Sequence, residues 1–143
     1  MTDPARVGLS LLSVVAAVFL LGLAFEVADL QHFLWKHVYS FGLAASVFAL
    51  PGWLLWLPFL LGRGPRRRSI GTQILAGILV GPLFLLLLDA VYVLKSWKNP
   101  GGVDLRLTLL FSPIGVLAVT ASTVAAGIYL AGYKWLTRKT ALP

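Results

Sequence analysis

Long apolar stretches alternate with short polar ones along the whole chain. Crossing a bilayer as a helix takes about 20 mostly apolar residues, because a helix rises only about 1.5 Å per residue. Four stretches have this length: residues 7–25, 38–61, 70–94 and 107–132. The pattern predicts an all-α polytopic integral membrane protein, built as a bundle of four transmembrane helices. Because the remaining residues are too few for a soluble domain, residues 1–143 are expected to form a single membrane domain.

The segment between the first two apolar stretches, residues 26–38, has a helical pattern of its own. Its apolar and polar residues fall on opposite sides of a helix, with Val27, Leu30, Leu34 and Val38 on one side and Asp29, His32 and Lys36 on the other. Glu26 lies at the edge of the apolar stripe. This arrangement predicts a short amphipathic segment on the outer membrane surface, or an extension of the first span beyond the bilayer.

Composition excludes the soluble classes of protein. The chain is 59% hydrophobic and 12% charged, with a mean hydropathy of +0.89. A soluble domain is about 45–50% apolar and about 25% charged. Too little polar surface is available to cover a water-soluble enzyme or a secreted domain, so the lipid bilayer is the expected surroundings of most side chains.

The positive charge of the chain, +7, predicts its orientation in the membrane. Cytoplasmic loops of membrane proteins are enriched in Lys and Arg. Placing both termini in the cytoplasm leaves only four of the 12 basic residues outside: Lys36, Lys95, Lys98 and Arg106. We therefore expect a bacterial inner (plasma) membrane protein with both termini cytoplasmic, and no nucleic acid as partner. The run Arg66, Arg67 and Arg68 is a candidate site for anionic lipid headgroups.

Catalytic and metal-binding residues are scarce in this sequence. Without cysteine there is no thiolate nucleophile and no Cys-ligated metal. The two histidines, His32 and His37, are about 140° apart around a helix, so they cannot bind one metal from one face. Thr120, Ser122 and Thr123 have no intramembrane base that would activate them. The sequence predicts a protein that is not an enzyme and that has no metal and no cofactor.

Asp89 is the only charged residue inside a predicted span. Such residues are functional candidates by default, because a charge is costly within the bilayer. It lies near the outer end of its helix, where Lys36, Lys95 or Arg106 can pair with it. With Glu26, Asp29, His32 and Lys36, it makes up the candidate partner-binding residues at the outer rim.

Small residues repeat at helical spacing in the third and fourth spans. Gly77 and Gly81 are four residues apart, and so are Ala118, Ser122 and Ala126 in turn. Small residues at this spacing let helices approach closely within lipid. The pattern predicts packing of the third span on the fourth, with homo-oligomerisation through the same face as the alternative. Pro51, Pro58, Pro82 and Pro113 are expected to kink their helices.

In size and hydropathy the chain resembles the small polytopic immunity proteins that protect bacteria from membrane-acting toxins. It resembles accessory subunits of larger inner-membrane complexes equally well. Both resemblances imply a non-enzymatic protein that acts by contact with another membrane protein. The alternative function is a small oligomeric transporter or channel that uses Asp89 and Glu26 as polar groups of its pathway.

Overall fold

Four long helices make up most of the residues that the computed structural model describes, namely 2–61, 69–99, 101–102, 104 and 108–141. The helices are α1 (Asp3–Ala28), α2 (Trp35–Leu60), α3 (Ile70–Ser96) and α4 (Pro113–Thr140). Each is long and apolar enough to cross a membrane, and the described residues contain no strand. This confirms the all-α fold and the four apolar helices. The arginine run, Arg66 to Arg68, lies outside the described residues.

The helices pack as a ring in chain order. α1 contacts α2 and α4, and α3 contacts the same two neighbours, whereas the described backbones of the diagonal pairs stay apart. Across one diagonal, the Trp56 ring of α2 still meets the Tyr129 ring of α4. We call the end that holds the start of α1 and the end of α4 the termini end, and the opposite end the distal end. Because the backbones of the diagonal pairs stay apart, the ring leaves space along part of its axis.

Glycines set the closest approaches of α1 to its neighbours. A Cβ built on Gly22 would lie 2.8 Å from the Phe41 ring, and one on Gly42 would lie 2.5 Å from the Phe19 ring. In each of the two helices, α1 and α2, a glycine thus packs against a phenylalanine ring of the other helix. On the opposite side of α1, Leu9 occupies the space over Gly132 of α4 with the same kind of contact, 2.6 Å.

The fourth helix begins later than the hydropathy indicates, which corrects the predicted start at residue 107. Ser112 is its N-cap, because the Ser112 hydroxyl accepts a hydrogen bond from the Ile114 N–H at 3.2 Å. Pro113 therefore starts the helix instead of kinking it, since a proline at the first position needs no N–H donor. At the other end α4 continues to Thr140, beyond the predicted residue 132. The other three prolines lie inside helices: Pro51, Pro58 and Pro82.

The segment 26–38 is not one amphipathic helix, which corrects that prediction. α1 ends at Ala28, a single 3-10 turn covers Leu30–His32, and α2 begins at Trp35. Phe33 and Leu34 between them have extended backbone. The chain reverses direction here because α2 must pack antiparallel against α1, and a continuous helix would carry it away from the bundle.

Candidate functional site

Asp89 anchors the connection that leads into α4. Its carboxylate accepts a hydrogen bond from the Leu109 N–H at 2.6 Å and one from the Leu110 N–H at 2.9 Å. The residue is only 8% exposed. In the described part of the chain it pairs with no Lys or Arg, and Arg106, one of the predicted partners, lies outside that part. The burial of this charge is compensated by two backbone donors.

Glu26 holds the reversal between α1 and α2 in a similar way. One of its carboxylate oxygens accepts the Leu34 N–H at 3.2 Å, and the other lies 3.2 Å from Nδ1 of His37. The Glu26 side chain is 19% exposed, so it lies largely beneath the turn. Both acidic residues considered for a transport pathway thus serve as acceptors for loop backbone.

The α1–α2 reversal presents charged and apolar side chains together on its outer side, and we call these six residues the corner surface. They are Asp29, Leu30, His32, Leu34, Trp35 and Lys36, all of them exposed. Asp29 and His32 form an exposed pair at 3.1 Å. Four of the candidate partner-binding residues therefore lie at this reversal, Glu26 beneath it and Asp29, His32 and Lys36 on it. Asp89, the fifth, is buried against the other distal connection.

The two glycines of α3 contact different helices. Gly81 lies against α4, where a Cβ would come within 2.6 Å of the Ala118 carbonyl oxygen. One turn away, the Ser122 hydroxyl donates to the Ile78 carbonyl at 2.9 Å. Gly77 contacts α2 instead, since a Cβ there would lie 2.6 Å from the Trp56 ring. The expected α3–α4 contact thus involves Gly81, Ala118 and Ser122, while Gly77 provides space for an indole.

A cavity of about 450 Å³ occupies the axis of the bundle and is lined by all four helices. Its wall is apolar apart from the Ser122 hydroxyl and the indoles of Trp53 and Trp56. Phe48 lines it although 77% of this residue is exposed, so the cavity opens between helices to the outside. Its volume lies in the range of small-molecule sites, about 300–1,000 Å³.

A buried polar cluster at the termini end is the feature that the sequence analysis missed. The Tyr129 hydroxyl donates to Oε1 of Gln73 at 2.8 Å, and Nε1 of Trp56 donates to the Gln73 backbone carbonyl at 2.8 Å. The Trp56 and Tyr129 rings meet edge to face, with centroids 5.2 Å apart. Nearby, Nε1 of Trp53 donates to the Ser10 hydroxyl at 2.9 Å. These bonds link α1, α2, α3 and α4 at one level.

Arg6 belongs to the same end of the bundle. It is only 8% exposed, and its guanidinium is close enough to the Tyr129 hydroxyl to interact with it electrostatically. One sequence signal pointed to its position. Arg6, Ser10, Ser13 and Ala17 recur at helical spacing and form the buried stripe of α1. By hydropathy alone, Arg6 falls in a solvated tail.

Within the described residues, no group of three or more His, Asp or Glu side chains is arranged to hold a metal ion. The chain matches no family model, no curated protein and no solved structure. The features of the molecule that bear on its function are the corner surface, the cavity and the Arg6 end.

Proposed function

We propose that the protein is a non-enzymatic inner-membrane protein that acts through contact with another membrane protein. In this proposal the four helices form a transmembrane bundle in the bacterial inner (plasma) membrane. Both termini lie in the cytoplasm, because this orientation places most of the Lys and Arg residues there. The corner surface then faces the periplasm, where a partner's membrane-proximal segment can reach it.

The corner surface is the observation that carries this proposal. It combines exposed apolar residues, Leu30, Leu34 and Trp35, with the charges of Asp29 and Lys36. Apolar anchors among polar groups, with aromatic residues enriched, are typical of protein interfaces. Glu26 holds the turn by its bond to the Leu34 N–H. A turn that is ordered before binding loses less conformational entropy when a partner binds.

Two roles are compatible with a contact of this kind. An accessory subunit of a membrane complex binds its complex permanently, and an immunity-type inhibitor binds a membrane-acting toxin when the toxin arrives. The transport alternative receives less support, because the Asp89 and Glu26 carboxylates both accept backbone N–H groups of loops. Carboxylates engaged in this way are poorly suited to bind and release a passing ion.

A photo-crosslinking amino acid placed at His32 tests the proposal in living cells. The matched control position is Val47, which is 66% exposed on α2. We expect a discrete protein adduct from position 32, absent from position 47 and weakened by a second change, Lys36→Glu. Equal adducts from the two positions, or none from position 32, would contradict the proposal.

A flux assay on the purified protein in liposomes tests the alternative. A contact protein without its partner moves no ions or solutes, so we expect no flux above that of empty liposomes. Flux that is present in the parent protein and lost in Asp89→Asn would overturn the contact proposal in favour of transport.

A further inference from the structure

Arg6 is a buried cation without a counter-ion in the described part of the chain. Only 8% of the residue is exposed, and its Nε has no hydrogen-bond partner. No carboxylate of the described residues lies within 4.0 Å of it, since the ion pairs found there involve only His32 and His37. The nearest acidic residue along the chain, Asp3, is exposed on the first turn of α1.

The other acidic residues lie too far away to neutralise Arg6. Glu26, Asp29, Asp89 and Asp104 all belong to the distal end or its connections. An arginine side chain keeps its positive charge in proteins, so Arg6 cannot become neutral by losing a proton. Burying a charge without a partner is strongly unfavourable, so buried charges are normally paired or bound to ligands.

We propose that Arg6 binds the phosphate group of an anionic membrane lipid. The planar guanidinium presents a fork of N–H donors that matches a phosphate in two-point geometry. The Tyr129 hydroxyl lies within electrostatic range of this fork, and its own proton is directed to Oε1 of Gln73. Because that proton is already donated to Gln73, the Tyr129 oxygen offers an anion no donor, and Arg6 provides the charge.

The position of Arg6 along α1 fits a lipid headgroup. Arg6 is three residues from the start of α1, a rise of about 4.5 Å, so it lies close to the end of the helix. The partial positive charge of the α3 N-terminus, at Ile70, lies at the same end and adds to the field that attracts an anion. Lys134, Arg138 and Lys139 are exposed on the last turns of α4, where they favour an anionic lipid surface.

This site is independent of the proposed partner contact. It uses the opposite end of the bundle and needs only that this end reaches a layer of lipid headgroups. If the lipid site proves wrong, the proposal for the corner surface still stands. If the proposal for the corner surface proves wrong, the lipid site still stands.

Titrations of the purified full-length protein in a phosphate-free maltoside detergent test the site. The probes are phosphatidylglycerol, phosphatidylcholine and inorganic phosphate, and the readout is the midpoint of thermal unfolding. A ligand that binds only the folded protein raises this midpoint with its concentration. We expect phosphatidylglycerol to raise the midpoint of the parent protein at the lowest concentration. Inorganic phosphate acting as strongly as the lipid would show that free phosphate, not a headgroup, is the ligand, and would overturn the lipid assignment.

Arg6→Gln should weaken the apparent affinity for phosphatidylglycerol by about tenfold or more, the effect of losing a charged hydrogen bond. Without lipid this variant should unfold no earlier than the parent, because it removes an uncompensated buried charge. Arg6→Lys keeps the charge but not the fork, so it should retain a weaker response. The matched control is Arg138→Gln, which removes one exposed charge from the same end and should lose much less of the response than Arg6→Gln. An undiminished response in Arg6→Gln, or an equal loss in Arg138→Gln, would overturn the proposal.

Discussion

Asp89 illustrates how a charged side chain is accommodated in an apolar helix. A carboxylate in a protein interior is stabilised either by a cation or by several hydrogen-bond donors. Asp89 has two backbone donors, the N–H groups of Leu109 and Leu110. The same residues approach the start of α4 so closely that a Cβ at Gly115 would overlap the Leu110 carbonyl. The carboxylate thus holds the last residues of the connection beside the start of α4.

Asp89→Asn should destabilise the protein by about 1.5–3 kcal/mol, the range for hydrogen bonds to charged groups. The change keeps the shape of the side chain, but the amide nitrogen cannot accept one of the two N–H groups. Chemical unfolding in detergent measures the effect, with the exposed Asp29→Asn as the control of equal charge change. If both variants unfold together with the parent, the Asp89 bonds do not support the fold.

Helix α3 shows why a glycine pair does not by itself identify one helix interface. Gly77 and Gly81 lie on nearly the same face, yet the first meets the Trp56 ring of α2 and the second meets the Ala118 backbone of α4. The Trp56 side chain is large enough to reach across from α2 and is itself oriented by its bond to the Gln73 carbonyl. The face of α3 that carries these glycines therefore makes two kinds of contact. Gly81 packs against the backbone of α4, and Gly77 packs against an aromatic ring of α2.

Gly81→Ala should lower the stability by about 1–3 kcal/mol, the usual effect of overpacking, because its Cβ has backbone atoms 2.6 Å away. The control is Gly127→Ala in the middle of α4, where a Cβ meets nothing within 4 Å. Gly127→Ala should be neutral or stabilising, since alanine is the better helix former. Thermal unfolding of the two variants in detergent separates them. Equal midpoints would show that α3 and α4 can move apart at no cost.

The molecule as a whole exposes its large apolar side chains on the outside and encloses an apolar cavity. Leu12, Val47 and Phe48 are each more than half exposed. In water such a surface would drive aggregation, whereas hydrocarbon chains solvate it well. The charged residues of the described chain gather at the two ends, with acidic loop anchors at the distal end and Arg6 at the termini end. This distribution is the one that a bilayer-spanning bundle requires.

The proposed orientation predicts which end of the molecule is accessible from outside the cell. Because the parent chain has no cysteine, single substitutions Thr2→Cys and Asn99→Cys introduce one reactive thiol each. An impermeant thiol reagent should label Asn99→Cys in intact cells and Thr2→Cys only after permeabilisation. Labelling in the reverse order would place the termini outside and move the corner surface to the cytoplasmic side.

The four helices were predictable from the sequence because the signal is local. Hydrophobicity summed over about 20 residues decides whether a segment crosses hydrocarbon, and no distant contact is needed for the sum. The same reasoning placed Glu26, Asp29, His32 and Lys36 together, because they are neighbours in the chain. The predicted helix ends were wrong at residue 107 and in segment 26–38. At these two places the helix ends depend on caps and turns more than on hydropathy. The clearest cases are the N-cap at Ser112 and the turn that Glu26 holds.

The surroundings of each polar side chain depended on packing between distant parts of the chain. Tyr129 and Gln73 are 56 positions apart, and Asp89 and Leu109 are 20 apart, so no local pattern joins them. Arg6 has the same sequence neighbours whether it is solvated or buried. Its burial is set by the helices that pack around it. Hydropathy is a property of one segment, whereas burial of a charge is a property of the helices around it.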